Sequence, residues 1–309
     1  MPKLSNCVVG VARDTGSVFV LNTCNERDEV RALMDEGYSV VYVTGAPRIL
    51  VATEQASNIR TQKWRPLVSG VSIGNTLITA GTLGWFGELN GRTVALTNAH
   101  IVTPTPGKAS PPLVLDVVQP GSVDGGMMPG NTVGYYHSHV RINCLQESDC
   151  PVSKALVSML NALSRTLARK TRFGAYVESY NDVDVGLVTL KESYDPVVLM
   201  DDGSKAQPPG LFAGLLFAGT GELYVVARAD RIIEHYPGLK IIGGHTSLKA
   251  GDKVVKCGRT TGCTEGEVLS ADAVLRVSGY DCGDAVFQNV AVVKAKSAGG
   301  DSGSAVWVV

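Results

Sequence analysis

Three short segments of this 309-residue chain contain residue types that together can perform nucleophilic chemistry. His100 follows an apolar run, Asp184 precedes another, and Ser302 lies among glycines in the segment 299–304. A serine hydroxyl at its ordinary pKa is a poor nucleophile, so it needs a base beside it. An imidazole can take and return that proton, and a carboxylate can orient the imidazole. The three segments therefore point to acyl transfer at Ser302.

The serine segment is the most specific of these signals. Glycines on both sides of Ser302 bring backbone N–H groups to one point, as an oxyanion site requires. Taken singly, a histidine after a strand or an aspartate before one is more often a core or turn residue. The order His100, Asp184, Ser302 also differs from the Ser, Asp, His order of α/β-hydrolases, whose G-x-S-x-G turn has glycine where Ser304 stands. That fold is therefore disfavoured.

The elements that must position these residues are mostly strands. From residue 68 onward, short runs of Val, Ile, Leu and Thr alternate with glycine-rich turns, which predicts an antiparallel barrel or sandwich. Leucines at three- and four-residue steps interrupt this pattern and predict an inserted amphipathic helix over 153–170. Residues 1–66 differ again, because a predicted hairpin precedes a predicted helix over 26–36. We therefore expect a mainly β chain with a small α+β N-terminal unit.

The composition excludes several classes of protein. The chain has 28 basic and 29 acidic residues, so its net charge of −1 argues against a broad surface for nucleic acid or anionic membrane. The longest apolar stretches are near ten residues, as at 210–219, which is too short to span a bilayer. The N-terminus shows no apolar signal segment, which favours a cytoplasmic protein. Together with the charge and the short apolar stretches, this predicts that neither a membrane nor a nucleic acid is a partner.

The seven cysteines allow two interpretations. Cys144 and Cys150, like Cys257 and Cys263, are separated by five residues, which is close enough to staple a loop or a hairpin. The odd number then leaves at least one thiol free. Buried or idle thiols in a reducing cytoplasm are the favoured interpretation.

The motifs together resemble those of trypsin-like serine peptidases of the chymotrypsin fold, above all the non-secreted prokaryotic branch. The resemblance covers roughly residues 68–309. It rests on the segments 70–74 (GVSIG), 78–84 (ITAGTLG), 96–100 (LTNAH), 119–126 (QPGSVDGG), 183–188 (VDVGLV), 258–264 (GRTTGCT) and 300–304 (GDSGS). It implies two antiparallel six-stranded β-barrels of chymotrypsin type.

The resemblance also implies a role for each site residue. His100 would be the base, Asp184 its orienter and Ser302 the nucleophile, with the N–H groups of Gly300 and Ser302 forming the oxyanion hole. Asp182 is a competing carboxylate. The implied activity is that of a serine endopeptidase acting on a peptide or protein through an acyl-enzyme, with no metal or other cofactor. A catalytically silent scaffold or binding module, and a protease limited to self-processing, are the alternatives.

One feature departs from the family pattern. Ordinary members continue for about another fifth of the domain after the serine, with a strand like GLLFAGS beside the substrate pocket. Here seven residues follow Ser302, and a similar segment, 214–220, lies upstream of it. We therefore expect a permuted second barrel with residues 197–239 threaded in before the serine, and Phe217, Ala218 and Gly219 as pocket residues. Cleavage of the chain after Val309 is the rival explanation.

Substrate preference is weakly indicated. Lys296 occupies the family's pocket-base position, six residues before Ser302. A basic floor would favour acidic substrate residues, unless the lysine points to solvent.

The expected domains follow from these segments. By default, the N-terminal unit is a packing module. The alternative is that cleavage near residues 64–68 activates the protein, because the new N-terminus could reach Asp301. The three expected regions are an α+β unit over 1–66, a first barrel over 67–196 with His100 and Asp184, and a second barrel over 197–309 with Ser302.

Overall fold

The computed structural model describes residues 2–52, 54–55, 58–78, 80–108, 115–169, 173–177 and 179–309. Within these ranges the protein is mainly β. The helices are α1 (Asp28–Asp35), α2 (Ala99–Val102), α3 (Pro151–Thr166) and α4 (Ala229–His235). None of these helices is long and apolar enough to cross a membrane.

The strands are short, apart from two near the C-terminus. In chain order they are β1 (Val8–Ala12), β2 (Ser17–Leu21), β3 (Ser39–Val43), β4 (Arg48–Ile49), β5 (Leu67–Ser69), β6 (Ser72–Asn75), β7 (Gly81–Thr82), β8 (Trp85–Leu89), β9 (Arg92–Thr97), β10 (Asp116–Val118), β11 (Thr132–His139), β12 (Gln146–Glu147), β13 (Tyr176–Val177), β14 (Tyr180–Asn181), β15 (Gly186–Leu190), β16 (Tyr194–Leu199), β17 (Lys205–Ala206), β18 (Leu211–Gly219), β19 (Leu223–Arg228), β20 (Lys240–Ile241), β21 (Lys253–Gly258), β22 (Gly262–Tyr280), β23 (Gly283–Lys294) and β24 (Ala305–Val308).

Six strands of the larger sheet close into a ring in the order β18, β19, β23, β22, β21, β24. Because β24 follows Ser302 directly and pairs with both β18 and β21, the ring holds the serine segment at its rim. Its strands share a buried apolar cluster that includes Leu216, Val254 and Val293. Burial of such a cluster is the main favourable contribution to closing a ring of this kind.

A second sheet carries the other two site segments. Its strands are ordered β20, β8, β9, β15, β11, β10, β6, β7, and this hydrogen-bonded path is open within the described residues. The architecture is thus one closed ring of six strands and one half-barrel, and two closed barrels are not shown. A larger core cluster contains buried residues from both sheets, among them Phe86, Leu187 and Phe217.

The N-terminal residues form the predicted hairpin, β1 with β2, followed by α1 inside the predicted helical range. They do not stand apart from the rest of the chain. β1 also pairs antiparallel with β22, so these strands extend the larger sheet. An ion pair between Arg13 and Asp272 accompanies this pairing. The N-terminal unit therefore packs as part of the main body.

The predicted helical insertion is present as α3, but it ends at Thr166. Residue 170, the predicted end, lies outside the described residues. The apolar side chains that suggested an amphipathic helix are largely exposed: Leu156, Met159 and Leu163 each keep more than half of their surface accessible. The helical periodicity is therefore confirmed, whereas its apolar stripe does not enter the core.

The cysteines pair differently from the favoured expectation. Six of the seven form disulfides: Cys7–Cys24, Cys144–Cys282 and Cys257–Cys263. The prediction of idle thiols is therefore wrong for these six. The Cys257–Cys263 hairpin staple is confirmed, while Cys150 is free and exposed because Cys144 pairs across the chain. The cytoplasmic location stays a prediction, without the support that idle thiols would lend it.

Candidate functional site

The strand register brings His100 and Asp184 to the same edge of the half-barrel. β9 and β15 are antiparallel neighbours with Thr97 opposite Gly186, so the residue after one strand meets the residue before the other. His100 Nδ1 lies 2.6 Å from Asp184 Oδ2. The Ala99 N–H donates to Asp184 Oδ1 at 2.7 Å. Both side chains are buried, so a direct pair forms away from solvent.

Tyr280, at the end of β22, is a third partner of this carboxylate. Its hydroxyl donates to Asp184 Oδ2 at 2.8 Å. Burial alone would raise the pKa of Asp184, but the charge of His100 and the hydrogen bonds from His100, Tyr280 and the Ala99 N–H outweigh it and lower that pKa. Burial and the Asp184 charge raise the pKa of Tyr280 well above its usual value. Tyr280 thus remains a proton donor to an ionised Asp184.

The competing carboxylate lies elsewhere. Asp182 Oδ1 accepts a hydrogen bond from Asn289 Nδ2 at 3.1 Å, and its other oxygen lies 3.9 Å from His235 Nε2. Of the two aspartates in the motif, Asp184 is therefore the one that contacts His100.

The serine segment is held in a backbone conformation that needs glycine. Gly300 and Gly303 have φ values of +96° and +93°, and a Cβ on Gly300 would lie 2.6 Å from Thr260 Oγ1. Thr82, from the half-barrel, fastens the segment at two points. Its N–H donates to the Ser302 carbonyl at 2.7 Å, and its hydroxyl donates to the Gly300 carbonyl at 2.8 Å. The two sheets thus meet at this segment.

A fully buried ion pair supports the segment from behind. Lys256 Nζ lies 3.0 Å from Asp301 Oδ2, and the Thr261 hydroxyl donates to the same oxygen at 2.7 Å. If cleavage near residues 64–68 activated the protein, the partner expected for Asp301 would be the new N-terminus. Because Lys256 already fills that role in the intact chain, the activation alternative is not supported.

A second buried ion pair joins two of the motif segments. Arg259 donates to Asp124 through Nε at 2.7 Å and Nη2 at 2.5 Å, in a bidentate arrangement. The Ser72 hydroxyl donates to the same carboxylate at 2.6 Å. The segments 119–126 and 258–264 are therefore coupled across the two sheets. Asp124 and Arg259 each lie in a motif segment, but no feature of the sequence predicted that they would pair.

The Ser302 hydroxyl makes its contacts with backbone groups. It donates to the Phe217 carbonyl at 3.0 Å and accepts from the Leu50 N–H at 3.0 Å. The Gly300 N–H donates to the Leu50 carbonyl at 2.5 Å. His100 Nε2 is buried and has no hydrogen-bond partner among the described residues. Ser302 and His100 are thus not hydrogen-bonded, although Val51, next to Leu50, lines the same depression as His100.

The segment predicted to flank the substrate pocket lies beside the serine segment. In β18, the Leu216 carbonyl accepts from the Gly303 N–H at 2.8 Å, which places residues 214–219 beside the serine segment. Gly219 lines a cleft together with residues 297–299. Phe217 and Ala218, by contrast, are fully buried, so their side chains belong to the core.

Lys296 does not have the position expected for a pocket floor. Its side chain is exposed, and the cleft is lined instead by its neighbours 297–299. Lys296 therefore matches the alternative in which its side chain points to solvent. It gives no support to a preference for acidic residues in the substrate.

The site thus holds a buried imidazole–carboxylate pair, and Leu50 contacts both the Ser302 hydroxyl and the Gly300 N–H. An acid–base pair, a hydroxyl and an N–H donor are the groups that acyl transfer requires. In the described ranges, no cluster of three or more His, Cys, Asp or Glu side chains could hold a metal ion.

Comparison with known proteins gives similarity to solved structures but none by sequence. No protein-family model matches the chain, and no curated protein matches it by sequence. Among solved structures, the chain is similar to the crystal structure of Thermobifida fusca Protease A (TFPA). The TM-score is 0.40 and the sequence identity 14%, over 78% of this chain and 77% of that one.

Proposed function

We propose that this chain is a trypsin-like serine endopeptidase in which Ser302 is the nucleophile, His100 the general base and Asp184 its orienter. The observation that carries the proposal is the position of Leu50, whose N–H and carbonyl contact Ser302 and Gly300. The Leu50 N–H donates to the Ser302 hydroxyl while the Leu50 carbonyl accepts from the Gly300 N–H. A peptide carbonyl is therefore held by the type of donor that stabilises an oxyanion.

The proposed reaction proceeds in two steps. The Ser302 hydroxyl attacks the substrate carbonyl carbon, and its proton passes to His100 Nε2. The C–N bond then breaks as the leaving amine takes this proton, which leaves an ester on Ser302. Water, deprotonated by His100, hydrolyses the ester and restores the hydroxyl. The Gly300 and Ser302 N–H groups stabilise the negative oxygen of each tetrahedral intermediate.

Two features of the chain support a permuted chymotrypsin-like body. Only two residues separate β7 from β8, so the two can be taken as one bent strand. Because β7 pairs with β6, this strand would close the half-barrel into a second ring of six strands. β18 precedes Ser302 in the chain yet pairs with β24, which follows it. We propose barrels over 67–196 and 197–309 on this basis.

A catalytically silent scaffold is the second candidate, and one observation favours it. The Ser302 hydroxyl donates to the Phe217 carbonyl, so its proton is not directed to His100. In a scaffold this arrangement would be permanent. In a peptidase, rotation about the Ser302 Cα–Cβ bond would redirect the proton to His100, whose Nε2 has no other partner among the described residues.

Labelling of the full chain with a fluorophosphonate distinguishes the two candidates. We expect covalent labelling at Ser302, located by mass spectrometry, and none in Ser302→Ala. Labelling of His100→Ala should be slower by on the order of 10⁴-fold or more, because the serine loses its base.

The matched control is His137→Ala, which removes a histidine bonded to Thr189 on a neighbouring strand. It should label at the wild-type rate. Protein that is folded but unlabelled, both as wild type and as Leu50→Asp, in which the contacts of Leu50 at the site are weakened, would instead identify a scaffold.

A further inference from the structure

The segment that occupies the site belongs to the chain itself. Residues 47–52 cross the cleft between the two sheets, and hydrogen bonds hold this stretch and residue 54. The Pro47 carbonyl accepts from the Ser278 N–H at 3.1 Å, and the Ala52 N–H donates to the Ala80 carbonyl at 3.1 Å. At the far end, Arg259 Nη2 donates to the Glu54 carbonyl at 2.9 Å.

In its first half the segment is bound as an added strand. β4 pairs antiparallel with β18, with Arg48 opposite Gly219 and Ile49 opposite Ala218. On its other side, Arg48 pairs with Ser278 of β22. Addition of an extended peptide to a sheet edge is a common way to bind peptides, because backbone hydrogen bonds supply affinity whatever the side chains are.

The side chains of the segment alternate as expected for extended backbone. Ile49 and Val51 line the depression that His100 also lines. Leu50 packs against the apolar cluster of the six-stranded ring. Gly219 leaves the room for it, since a Cβ at that position would lie 3.1 Å from Leu50 Cδ1. The residue whose carbonyl meets Gly300 therefore has its side chain in an apolar pocket.

We infer that the Leu50–Val51 peptide bond is the chain's own cleavage site, cut intramolecularly by Ser302. This inference rests on the proposed function and adds to it a substrate and a preference for an apolar residue on the acyl side of the bond. Ser302 attacks the Leu50 carbonyl carbon, the C–N bond to Val51 breaks, and the proton that His100 takes from Ser302 passes to the Val51 amine. Water then releases Leu50 as a new carboxylate.

The geometry is that of an intact bond before attack. The Leu50 carbonyl already accepts the Gly300 hydrogen bond, while the Ser302 hydroxyl donates to Phe217 and not to His100. For the reaction, the Ser302 hydroxyl has to exchange the Phe217 carbonyl for His100 Nε2 as its hydrogen-bond acceptor. The segment is tethered to its own cleft, so its effective concentration there is independent of protein concentration.

The two products should remain associated. Residues 1–50 include β1, which pairs with β22, and Arg13, which pairs with Asp272. Cleavage therefore has to be followed under denaturing conditions, since a native separation would still show one particle.

The experiment is intact-mass analysis and denaturing electrophoresis of the full chain, followed over time after purification. We expect fragments 1–50 and 51–309 from the wild type, at a rate independent of protein concentration, and an uncut chain from Ser302→Ala. Added wild-type protein should leave Ser302→Ala uncut. Leu50→Asp should slow cleavage by about 100-fold or more, because a carboxylate is placed in an apolar pocket, whereas Leu50→Met should be cut.

Leu156→Asp, the same change at an exposed site on α3, is the matched control and should be cut at the wild-type rate. Thermal melting of each variant checks that it is folded. Fluorophosphonate labelling of the same samples separates the possible failures. A chain that labels at Ser302 but stays intact overturns self-cleavage and leaves the peptidase proposal standing. A chain that is neither cut nor labelled, even as Leu50→Asp, overturns both. Cleavage of Ser302→Ala at the same bond would assign the cut to another protease.

Discussion

His100 and Asp184 meet through a direct 2.6 Å contact in a buried environment, whereas the Ser302 hydroxyl is held by backbone groups of Phe217 and Leu50. The acid–base half is complete, since Ala99 and Tyr280 also donate to the carboxylate. The glycine-rich loop that carries Ser302 is in place, but the hydroxyl proton of Ser302 is directed to the Phe217 carbonyl and not to His100.

In the proposed peptidase, this difference identifies the serine as the part of the site that depends on the substrate. The imidazole and carboxylate are fixed by the register of two strands and need no ligand to meet. The hydroxyl, in contrast, is bonded to backbone groups, and one of its two partners is the segment that lies in the cleft. Catalytic hydrogen bonds are often formed only on the way to the transition state, so an unassembled serine is compatible with activity.

The largest expected effect comes from removing the negative charge of Asp184. In Asp184→Asn, the amide can neither fix the histidine tautomer nor stabilise the imidazolium, so the rate at which an activated ester acylates Ser302 should fall by about 10⁴-fold. Asp182→Asn is the matched control, because Asp182 contacts Asn289 and not His100. A loss below tenfold in Asp184→Asn would show that this pair does not serve the serine.

The next effect comes from disturbing the nucleophile half. In Gly300→Ala the new Cβ would meet Thr260 Oγ1 at 2.6 Å, at a φ of +96° that alanine disfavours. The N–H donor should move, and acylation should slow by about 10²–10³-fold. Gly251→Ala carries a similar φ of +90° in open space and serves as the control for backbone strain alone. Equal acylation rates in the two variants would contradict a role of the Gly300 N–H.

The smallest effect sharpens the role of Tyr280 as a positioning residue. Tyr280→Phe removes one donor from Asp184 and should slow acylation by about tenfold, the loss of one buried hydrogen bond of 1–2 kcal/mol. Tyr136→Phe also removes a hydroxyl, one bonded to His139, and should leave the acylation rate unchanged.

The pH dependence of stability separates positioning from simple packing. The folded-state pKa of Asp184 is lowered, so its contribution to the unfolding free energy is present above its unfolded pKa and is lost as pH falls towards the folded value. Without the Tyr280 hydrogen bond that pKa is less depressed. Denaturant unfolding of Tyr280→Phe across acidic pH should therefore show a smaller loss of stability, which levels off at a higher pH than in wild type. An unchanged profile would leave Tyr280 a packing residue.

Local patterns were sufficient for much of the fold. The β1–β2 hairpin, α1 and α3 follow from turn residues and helical periodicity, which act between neighbours in the chain. Periodicity could not show that the apolar stripe of α3 stays exposed, because exposure depends on what the rest of the chain places beside it. Likewise, cysteine spacing indicated Cys257–Cys263 but not Cys144–Cys282, whose partners are 138 residues apart.

By itself, the sequence determined the candidate chemistry: a histidine and an aspartate at strand ends, and a serine in a loop that requires glycine. Residue types and turn conformations are local properties, so they can be read along the chain. Only the tertiary structure decided which groups surround these three residues. Tyr280 lies 96 residues from Asp184, Lys256 lies 45 from Asp301, and Leu50 lies 252 from Ser302. Such contacts depend on how the sheets pack, and this packing places the chain's own Leu50–Val51 bond at the serine.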